Sequence, residues 1–447
     1  MALERILSSN EEKNNIFPYK NMLVLISILK MILENYIKYR QYRRLMQNRP
    51  IPKELLSLGL DQKKHEESNK YSKAKIEYSI ISELIKNTFD LLLIYFSFYP
   101  FQYNISIKLC QYIPLIHFNS ENEYGPLFVF ISLELLREEI ISIPFEVYQT
   151  FVLEEKFGFN KTSVKTFIKD QIITTLLYFI FLPPILSLLV YIIIKGGKYF
   201  YIFTAIFSII LIFLFVWIYP NFIQPLFNTF KDLENQELKE SIFALAKRLD
   251  YPLKKIYEMD ESQRSSHSNA YLFGFGKNKR IVLFDTLIKK LEIKEIVGVL
   301  GHELGHWKKW HYTYNILFIF VNLFALFYLL QFFINENAIF ISFGFEQKSV
   351  FIGLFLFFLI YSPVFFFVEI IQYYYSRKFE YQADNFACKL GYGNELKSAL
   401  GKLSEENKSN LDPDPLYSMI NYTHPTLIER VKAINNYLEN PKEKKEN

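Results

Sequence analysis

Long apolar runs constrain this chain of 447 residues more than any other feature. A helix that spans a membrane needs roughly 20 consecutive apolar residues, and four runs approach that length. The strong runs cover 171–194, 199–219, 313–334 and 350–372, and weaker ones cover 20–37, 79–99 and 126–148. Buried core helices are the alternative interpretation, but four such runs in a chain that is 51% hydrophobic favour a multi-pass membrane protein.

The positive charge of the loops predicts how these runs cross the membrane. Eleven Lys and Arg residues fall in 38–75 and four in 150–170, whereas 102–125 and 335–349 hold one each. Loops rich in Lys and Arg stay on the cytosolic side. With seven spans, the N-terminus is then lumenal, and the segment 222–312 and the C-terminal tail are cytosolic.

The weaker runs contain ionisable side chains. Lys30 and Glu34 lie in the first run, Asp90 lies in the second, and the third carries Arg137 among several glutamates. Such groups cost several kcal/mol when they face lipid, so we expect them to face protein or a water-filled cavity. The alternative is that the boundaries of these runs are misplaced and that the charged side chains lie at the membrane interface.

A five-residue motif predicts a metal site. His302, Glu303 and His306 spell H-E-x-x-H, which places both histidines on one face of a helix. With a third ligand such a pair binds Zn²⁺, and water on that ion has a pKa of about 7, so that Glu303 can deprotonate it for attack on an amide. Gly301 and Gly305 leave room for close helix packing or for substrate. The motif adjoins an apolar run, so the metal is expected at the membrane boundary.

The third ligand is expected just after the last apolar run. Glu380 and Asp384 are spaced i, i+4 on a predicted helix, so both carboxylates point the same way. One can bind zinc while the other accepts the second ring N–H of a ligand histidine. We assign Glu380 as the ligand and Asp384 as the supporting carboxylate. The alternative is that Glu380 is a solvated helix charge.

Two other segments carry candidate substrate-site residues. The stretch 264–274 and the β-prone stretch 279–285 flank a turn, which predicts a hairpin whose exposed edge can hold an extended peptide. An ordinary structural hairpin is the alternative. His424 precedes a proline at a predicted helix start and is placed to hydrogen-bond a developing oxyanion, although a lone histidine is more often structural. Arg430 is a further candidate for substrate binding.

Taken together, these motifs resemble the zinc-dependent CAAX prenyl proteases of the endoplasmic reticulum, a family of seven-span gluzincin-type metalloendopeptidases. The resemblance extends from about Glu34 to Leu438. It rests on the segments 150–161, 264–284, 301–307, 376–384 and 423–425. Leu272 departs from the pattern, because relatives often have an aromatic residue there, but it is not a metal ligand.

The resemblance implies a mainly α, polytopic membrane protein. Seven transmembrane helices would form a barrel around an internal water-filled chamber, capped on the cytosolic side by an α+β zinc metalloprotease domain. The implied activity is removal of the last three residues after a prenylated cysteine, and in some members a second cut near the N-terminus of a precursor. It also implies site roles for seven residues. These are the ligands His302, His306 and Glu380 of one Zn²⁺, the base Glu303, the transition-state donor His424, and Asn269 and Ala270 on the strand that aligns the substrate.

The expected domain division follows these assignments. It comprises a lumenal segment 1–20, transmembrane helices 1–5 with cytosolic loops in 21–221, the first protease part in 222–312, helices 6 and 7 in 313–372, the second protease part in 373–438, and a disordered tail 439–447. Lys444 and Lys445 near the end are typical of a retrieval signal for the endoplasmic reticulum. The expected location is that membrane, with the inner nuclear membrane as a second one.

The partners expected are prenylated CAAX substrates and the lipid bilayer, and the protein is expected to be a monomer. The net charge of +5 reflects the cytosolic flanks and does not predict nucleic-acid binding. Three alternative functions stay open. They are a membrane quality-control metalloprotease of broader specificity, an intramembrane zinc protease, and a channel or transporter whose metal site is no longer catalytic. The charged stretch 307–310 after the motif argues against a site within the bilayer.

Overall fold

The structure is a computed structural model that describes residues 17–47, 49–112, 123–274 and 276–440. Most of the predicted lumenal segment 1–20 lies outside the described residues. So does nearly all of the predicted tail 439–447, with its Lys444 and Lys445. The predictions for these two segments therefore fall on residues that the structure does not describe.

The described chain is mainly helical, as predicted. Its α-helices are α1 (Tyr19–Leu45), α2 (Lys53–Leu56), α3 (Gln62–Tyr95), α4 (Phe98–Cys110), α5 (Tyr124–Tyr148), α6 (Val164–Gly196), α7 (Phe200–Ile218), α8 (Gln236–Arg248), α9 (Asp285–Lys290), α10 (Ile293–Lys308), α11 (His311–Phe333), α12 (Asn337–Phe343), α13 (Val350–Lys389), α14 (Gly393–Glu406), α15 (Pro415–Asn421) and α16 (Leu427–Glu439). Its strands are β1 (Phe230–Asp232), β2 (Leu253–Met259), β3 (Ala270–Phe273) and β4 (Lys279–Phe284).

Three helical segments of the described chain are long and apolar enough to cross a membrane. They are Val164–Leu226, His311–Phe333 and Val350–Lys389. The first contains both α6 and α7, so all four strong apolar runs fall almost entirely within these segments. The prediction of seven spans around a chamber stays a prediction, because α1, α3 and α5 are helices but are not among these segments.

The ionisable side chains of α1, α3 and α5 share one cavity. Lys30, Glu34, Asp90 and Arg137 all line this space of about 410 Å³. Arg137 donates to Glu134 through two nitrogen atoms, and it also reaches Asp90. These four side chains therefore gather around one space in which Arg137 is paired with carboxylates, as expected of groups that face a cavity.

Two segments that we predicted as loops contain helices. α4 lies between α3 and α5, within and just before the predicted loop 102–125, and α12 lies within the predicted loop 335–349. Aromatic packing explains α4, because Tyr103 stacks edge-on against Phe130 of α5 and Phe345. Such contacts between distant segments cannot be read from local hydropathy.

The strands form one sheet in the order β1-β2-β4-β3. β2 runs parallel to β4, while β1 pairs with β2 and β3 with β4 in antiparallel register. The predicted hairpin is therefore confirmed, and β3 is an edge strand as expected. Gly274 makes the turn possible, because its φ is +107° and an added Cβ would meet the carbonyl oxygen of Asn278 at 2.1 Å.

The motif helix α10 is capped at its start and ends sharply before α11. A capping box forms at its start, where the Glu292 backbone N–H donates to the Glu295 side chain. Glu295 also accepts hydrogen bonds from Ser398 and Lys402 of α14. At the far end the helix stops at Lys308, and Trp310, with a φ of +63°, separates it from α11. The helix therefore ends before the next span and does not continue unbroken into it.

α10 packs closely on α13 through Gly305. A Cβ built on Gly305 would lie 3.1 Å from the Phe386 Cβ and 3.2 Å from the Ala383 Cα, whereas one built on Gly301 would meet nothing closer than 3.6 Å. The room predicted at Gly305 is thus used for helix packing. This contact sets the distance between the two helices that carry the candidate metal ligands.

Gly305→Ala should separate α10 from α13. Alanine normally stabilises a helix by about 1 kcal/mol relative to glycine, but here the methyl group overpacks the interface and should cost roughly 1–3 kcal/mol. The measurement is thermal unfolding of the detergent-solubilised protein. Gly301→Ala is the matched control, since its methyl group has ordinary contacts, and it should be neutral or stabilising. Equal effects of the two substitutions would contradict this account of the packing.

Candidate metal centre

The side chains of His302, His306 and Glu380 converge at the contact between α10 and α13. The two Nε2 atoms lie 3.2 Å apart. Glu380 places one carboxylate oxygen 3.4 Å from His302 Nε2 and the other 3.2 Å from His306 Nε2. Ligand atoms bound to a tetrahedral zinc ion at about 2.1 Å lie roughly 3.4 Å from one another. The spacing of these three donors therefore fits one zinc ion, with a fourth position left open.

Asp384 fixes the orientation of the His302 ring. Its Oδ1 accepts a hydrogen bond from His302 Nδ1 at 2.8 Å, which directs Nε2 at the cluster. Asp384 is itself held by Arg430, whose Nε and Nη2 donate to its two carboxylate oxygens at 2.9 and 2.6 Å. This is the supporting position that the i, i+4 spacing of Glu380 and Asp384 predicts.

His306 is held by a partner that the sequence analysis did not assign. His311 Nδ1 lies 3.0 Å from His306 Nδ1, and His311 Nε2 lies 2.8 Å from Gln382 Oε1. Because a carbonyl oxygen only accepts, His311 Nε2 donates to Gln382, and the Nδ1 of a neutral His311 accepts from His306. The Nε2 of His306 is then free to bind a metal. The crowding of three histidines in 302–311 was the available signal.

Replacing His311 should weaken metal binding without removing a ligand. His311→Leu leaves the His306 N–H without an acceptor, and loss of such a partner typically costs about 10–100-fold in metal affinity. His311→Gln, whose side-chain carbonyl can accept from His306, should recover most of that loss. Competition with a chromogenic chelator measures zinc affinity directly. Wild-type affinity in His311→Leu would show that His311 does not orient His306.

The electrostatics of the site favour a cation. Burial lowers the pKa of His302, but hydrogen bonds to Asp384 and Glu380 outweigh burial and raise that pKa to about 9. Burial also lowers the pKa of Arg430, but the charge of Asp384 and its hydrogen bond dominate and raise it. Two buried carboxylates thus face a single guanidinium, so a divalent ion between the histidines and Glu380 would balance the charge.

Glu303 and His424 lie beside this cluster. Glu303 follows His302 on α10, is half-buried, and its charge acts on Arg430 and Tyr312. The His424 ring is largely exposed, and its Nδ1 lies 2.8 Å from Glu380 Oε2. A half-buried carboxylate and an exposed imidazole ring are therefore both available next to the cluster.

The predicted substrate strand lies at the free edge of the sheet. Asn269 immediately precedes β3, and its side chain accepts from the Ala270 backbone N–H at 2.8 Å. The Asn269 carbonyl accepts from the Phe284 N–H, so the alternation of an antiparallel pair turns the polar groups of Ala270 and Leu272 to the open edge. Arg430 differs from Asn269 and Ala270, because its guanidinium is engaged by Asp384 and it lines a cavity rather than the strand.

Comparison with known proteins covers nearly the whole chain. A family model described as the CAAX prenyl protease N-terminal region with five membrane helices matches residues 41–229. A second model, for peptidase family M48, matches residues 232–438 and so includes every candidate site residue. The two matches meet at β1, close to the predicted boundary at residue 222.

Full-length relatives have the same extent. The CAAX prenyl protease 1 homologs of Arabidopsis thaliana and Homo sapiens are 40% and 36% identical, over 93% and 92% of this chain and 97% and 94% of their own lengths. The crystal structure of S. mikatae Ste24p superposes with a TM-score of 0.87 at 36% identity, over 94% of this chain and 99% of that one. With matches of this identity along its length, the chain belongs to the CAAX prenyl protease group of peptidase family M48.

Proposed function

We propose that this protein is a zinc metalloendopeptidase that removes the C-terminal tripeptide from prenylated CAAX proteins. The observation that carries the proposal is the His302, His306 and Glu380 cluster, whose donor spacing fits zinc. Relatives named as CAAX prenyl proteases, matched over more than 90% of this chain, support the substrate class.

The chemistry divides among few side chains. Zinc bound by His302, His306 and Glu380 would supply a Lewis acid and lower the pKa of water at its open position. Glu303 accepts the proton of the attacking water and later delivers a proton to the leaving nitrogen of the peptide. His424 donates a hydrogen bond to the oxygen that becomes negative as the carbonyl is attacked.

The remaining residues position these groups and the substrate. Asp384 holds the His302 ring, while Arg430 holds Asp384 and lines the cavity where the substrate binds. The backbone around Asn269 and Ala270 receives the peptide as an added strand at the free edge of β3. The hydrogen bond within Asn269–Ala270 must then open, since the Ala270 N–H is needed for the peptide.

The protein is a multi-pass membrane protein, and we extend this to seven spans around a water-filled chamber. In this arrangement the N-terminus is lumenal, the C-terminus and the protease domain are cytosolic, and the protein acts as a monomer in the endoplasmic reticulum and inner nuclear membranes. The Lys and Arg content of the loops 38–75 and 150–170 supports this orientation. The domain division within 21–221, 222–312, 313–372 and 373–438 is part of the same proposal.

A peptide assay tests the function. The purified protein is incubated with a farnesylated CAAX peptide and with the same peptide lacking the prenyl group, each with and without a chelator. We expect release of the tripeptide from the prenylated peptide alone, lost on chelation and restored by zinc. Equal cleavage of both peptides would favour a quality-control protease of broader specificity. Cleavage that a chelator leaves unchanged would contradict the metal mechanism.

A further inference from the structure

The two ends of the edge strand β3 differ in chemistry. Toward its C-terminal end, Tyr271 and Phe273 line an apolar groove of about 790 Å³ together with side chains of α7 and α11, among them Phe215 and Leu323. Before its N-terminal end, His267 lines a separate cavity of about 530 Å³. That cavity is also lined by His424, whose ring lies 2.8 Å from the Glu380 carboxylate of the candidate metal centre.

The cavity before β3 is positively charged. Its charged lining residues are Lys75 of α3, Lys408 in the turn after α14, and Arg430, and no Asp or Glu is among the lining residues of the described chain. The Arg430 charge is already balanced by Asp384. Lys75 and Lys408 instead lie over aromatic rings, Lys75 over Tyr71 at 5.0 Å and Lys408 over Phe159 at 5.3 Å.

Both lysines can accept an anionic partner. The Lys408 ammonium donates to the Phe157 carbonyl oxygen at 2.9 Å, which leaves two of its protons for other acceptors. Aromatic rings and a carbonyl group hold the two ammonium groups in place without neutralising their charge. A carboxylate from a ligand would complete the pairing with charge-assisted hydrogen bonds.

The substrate class of the proposed function has matching chemistry at its two sides. The prenyl group lies on the cysteine before the scissile bond, and a free carboxylate ends the chain three residues after it. Three extended residues span about 10 Å. A sphere with the cavity's volume of about 530 Å³ is roughly 10 Å across, which matches the length of an extended tripeptide.

We propose that Lys75 and Lys408 bind the C-terminal carboxylate of the substrate in the cavity before β3. The prenylated side of the peptide then lies toward Tyr271 and Phe273, so the substrate runs antiparallel to β3. This inference rests on the proposed function for the identity of the ligand. It adds a means by which the enzyme selects chain ends, because a peptide bond that lacks a nearby carboxylate leaves both lysines unpaired.

The test compares farnesylated CAAX peptides that end in a carboxylate or in an amide. Wild-type protein should have a kcat/KM roughly tenfold or more higher for the carboxylate, as expected for hydrogen bonds between charged groups. The double variant Lys75→Met with Lys408→Met should lose this preference and cleave the amide peptide as wild type does. Lys70→Met, an exposed lysine on the same helix that does not line the cavity, is the matched control and should retain the preference.

Either of two results would overturn the assignment. One is a carboxylate preference that persists in the double variant, and the other is an equal loss of activity on both peptides, which would indicate a structural role. If wild type cleaves no prenylated peptide, the proposed function fails. The carboxylate site is then tested on its own by calorimetric binding of an acetylated tripeptide. Tighter binding of its carboxylate than of its amide form by wild type, abolished in the double variant, supports the site, whereas equal binding of the two forms refutes it.

Discussion

Glu303→Gln should abolish peptide cleavage while leaving zinc bound. The substitution preserves the size of the side chain and removes only its ability to accept a proton, and a general base typically contributes about 10²–10⁴-fold to the rate. We therefore expect kcat to fall by roughly 10³-fold or more with little change in KM. Turnover of a farnesylated peptide and zinc content by mass spectrometry, measured on one preparation, check both parts of the expectation.

A matched substitution separates this effect from general damage to the helix. Glu292→Gln makes the same chemical change at the start of α10, where the side chain is largely exposed and a glutamine can still accept the capping hydrogen bond. It should retain nearly full activity. A kcat of Glu303→Gln within about tenfold of the wild-type value would remove Glu303 from the role of base, and loss of zinc from the variant would contradict the expectation that the metal stays bound.

Glu380→Gln should remove zinc itself. The variant keeps an oxygen near His302 and His306 but loses the negative charge that faces both rings across 3.2–3.4 Å. A ligand that binds only the folded state at 100 times its dissociation constant stabilises that state by about 2.7 kcal/mol. Added zinc should therefore raise the unfolding temperature of chelator-treated wild type and leave that of Glu380→Gln almost unchanged.

The same readout distinguishes a ligand from a nearby charge. Glu439→Gln, at the exposed end of α16, should respond to zinc as wild type does. Asp384→Asn should give an intermediate response, since the three donors remain while the His302 ring and Arg430 lose their charged partner. A full zinc-induced shift in Glu380→Gln would mean that another group completes the metal site.

The parts of the site that depend on local spacing were predictable from the sequence. The i, i+4 rule brings His302 over His306 and Glu380 over Asp384, and the structure indeed brings these four side chains together. The contact of His311 with His306 was not predictable in this way, because it depends on the break at Trp310. That break turns the start of α11 back toward α10.

The cavity before β3 was beyond sequence reasoning for a different reason. The cavity is lined by Lys75, His267 and Lys408, which come from three segments that are far apart in the chain. The sequence around each of them is that of an ordinary polar residue and gives no sign of a shared site. Only the tertiary fold brings α3, the segment before β3 and the turn after α14 to one space. Similarly, α4 and α12 are stabilised by contacts with other helices, which a hydropathy profile does not contain.

The length of α13 links the membrane to the metal ligand in a further way. The helix begins at Val350 within an apolar run and continues without a break through Glu380. Each added residue rotates the remainder of a helix by about 100° and advances it by about 1.5 Å. One insertion between the apolar run and Glu380 would therefore swing the carboxylate away from α10. Insertions of about seven residues, close to two whole turns, preserve its direction but shift it by roughly 10 Å. The angular phase of this helix thus restricts how its length can change in evolution.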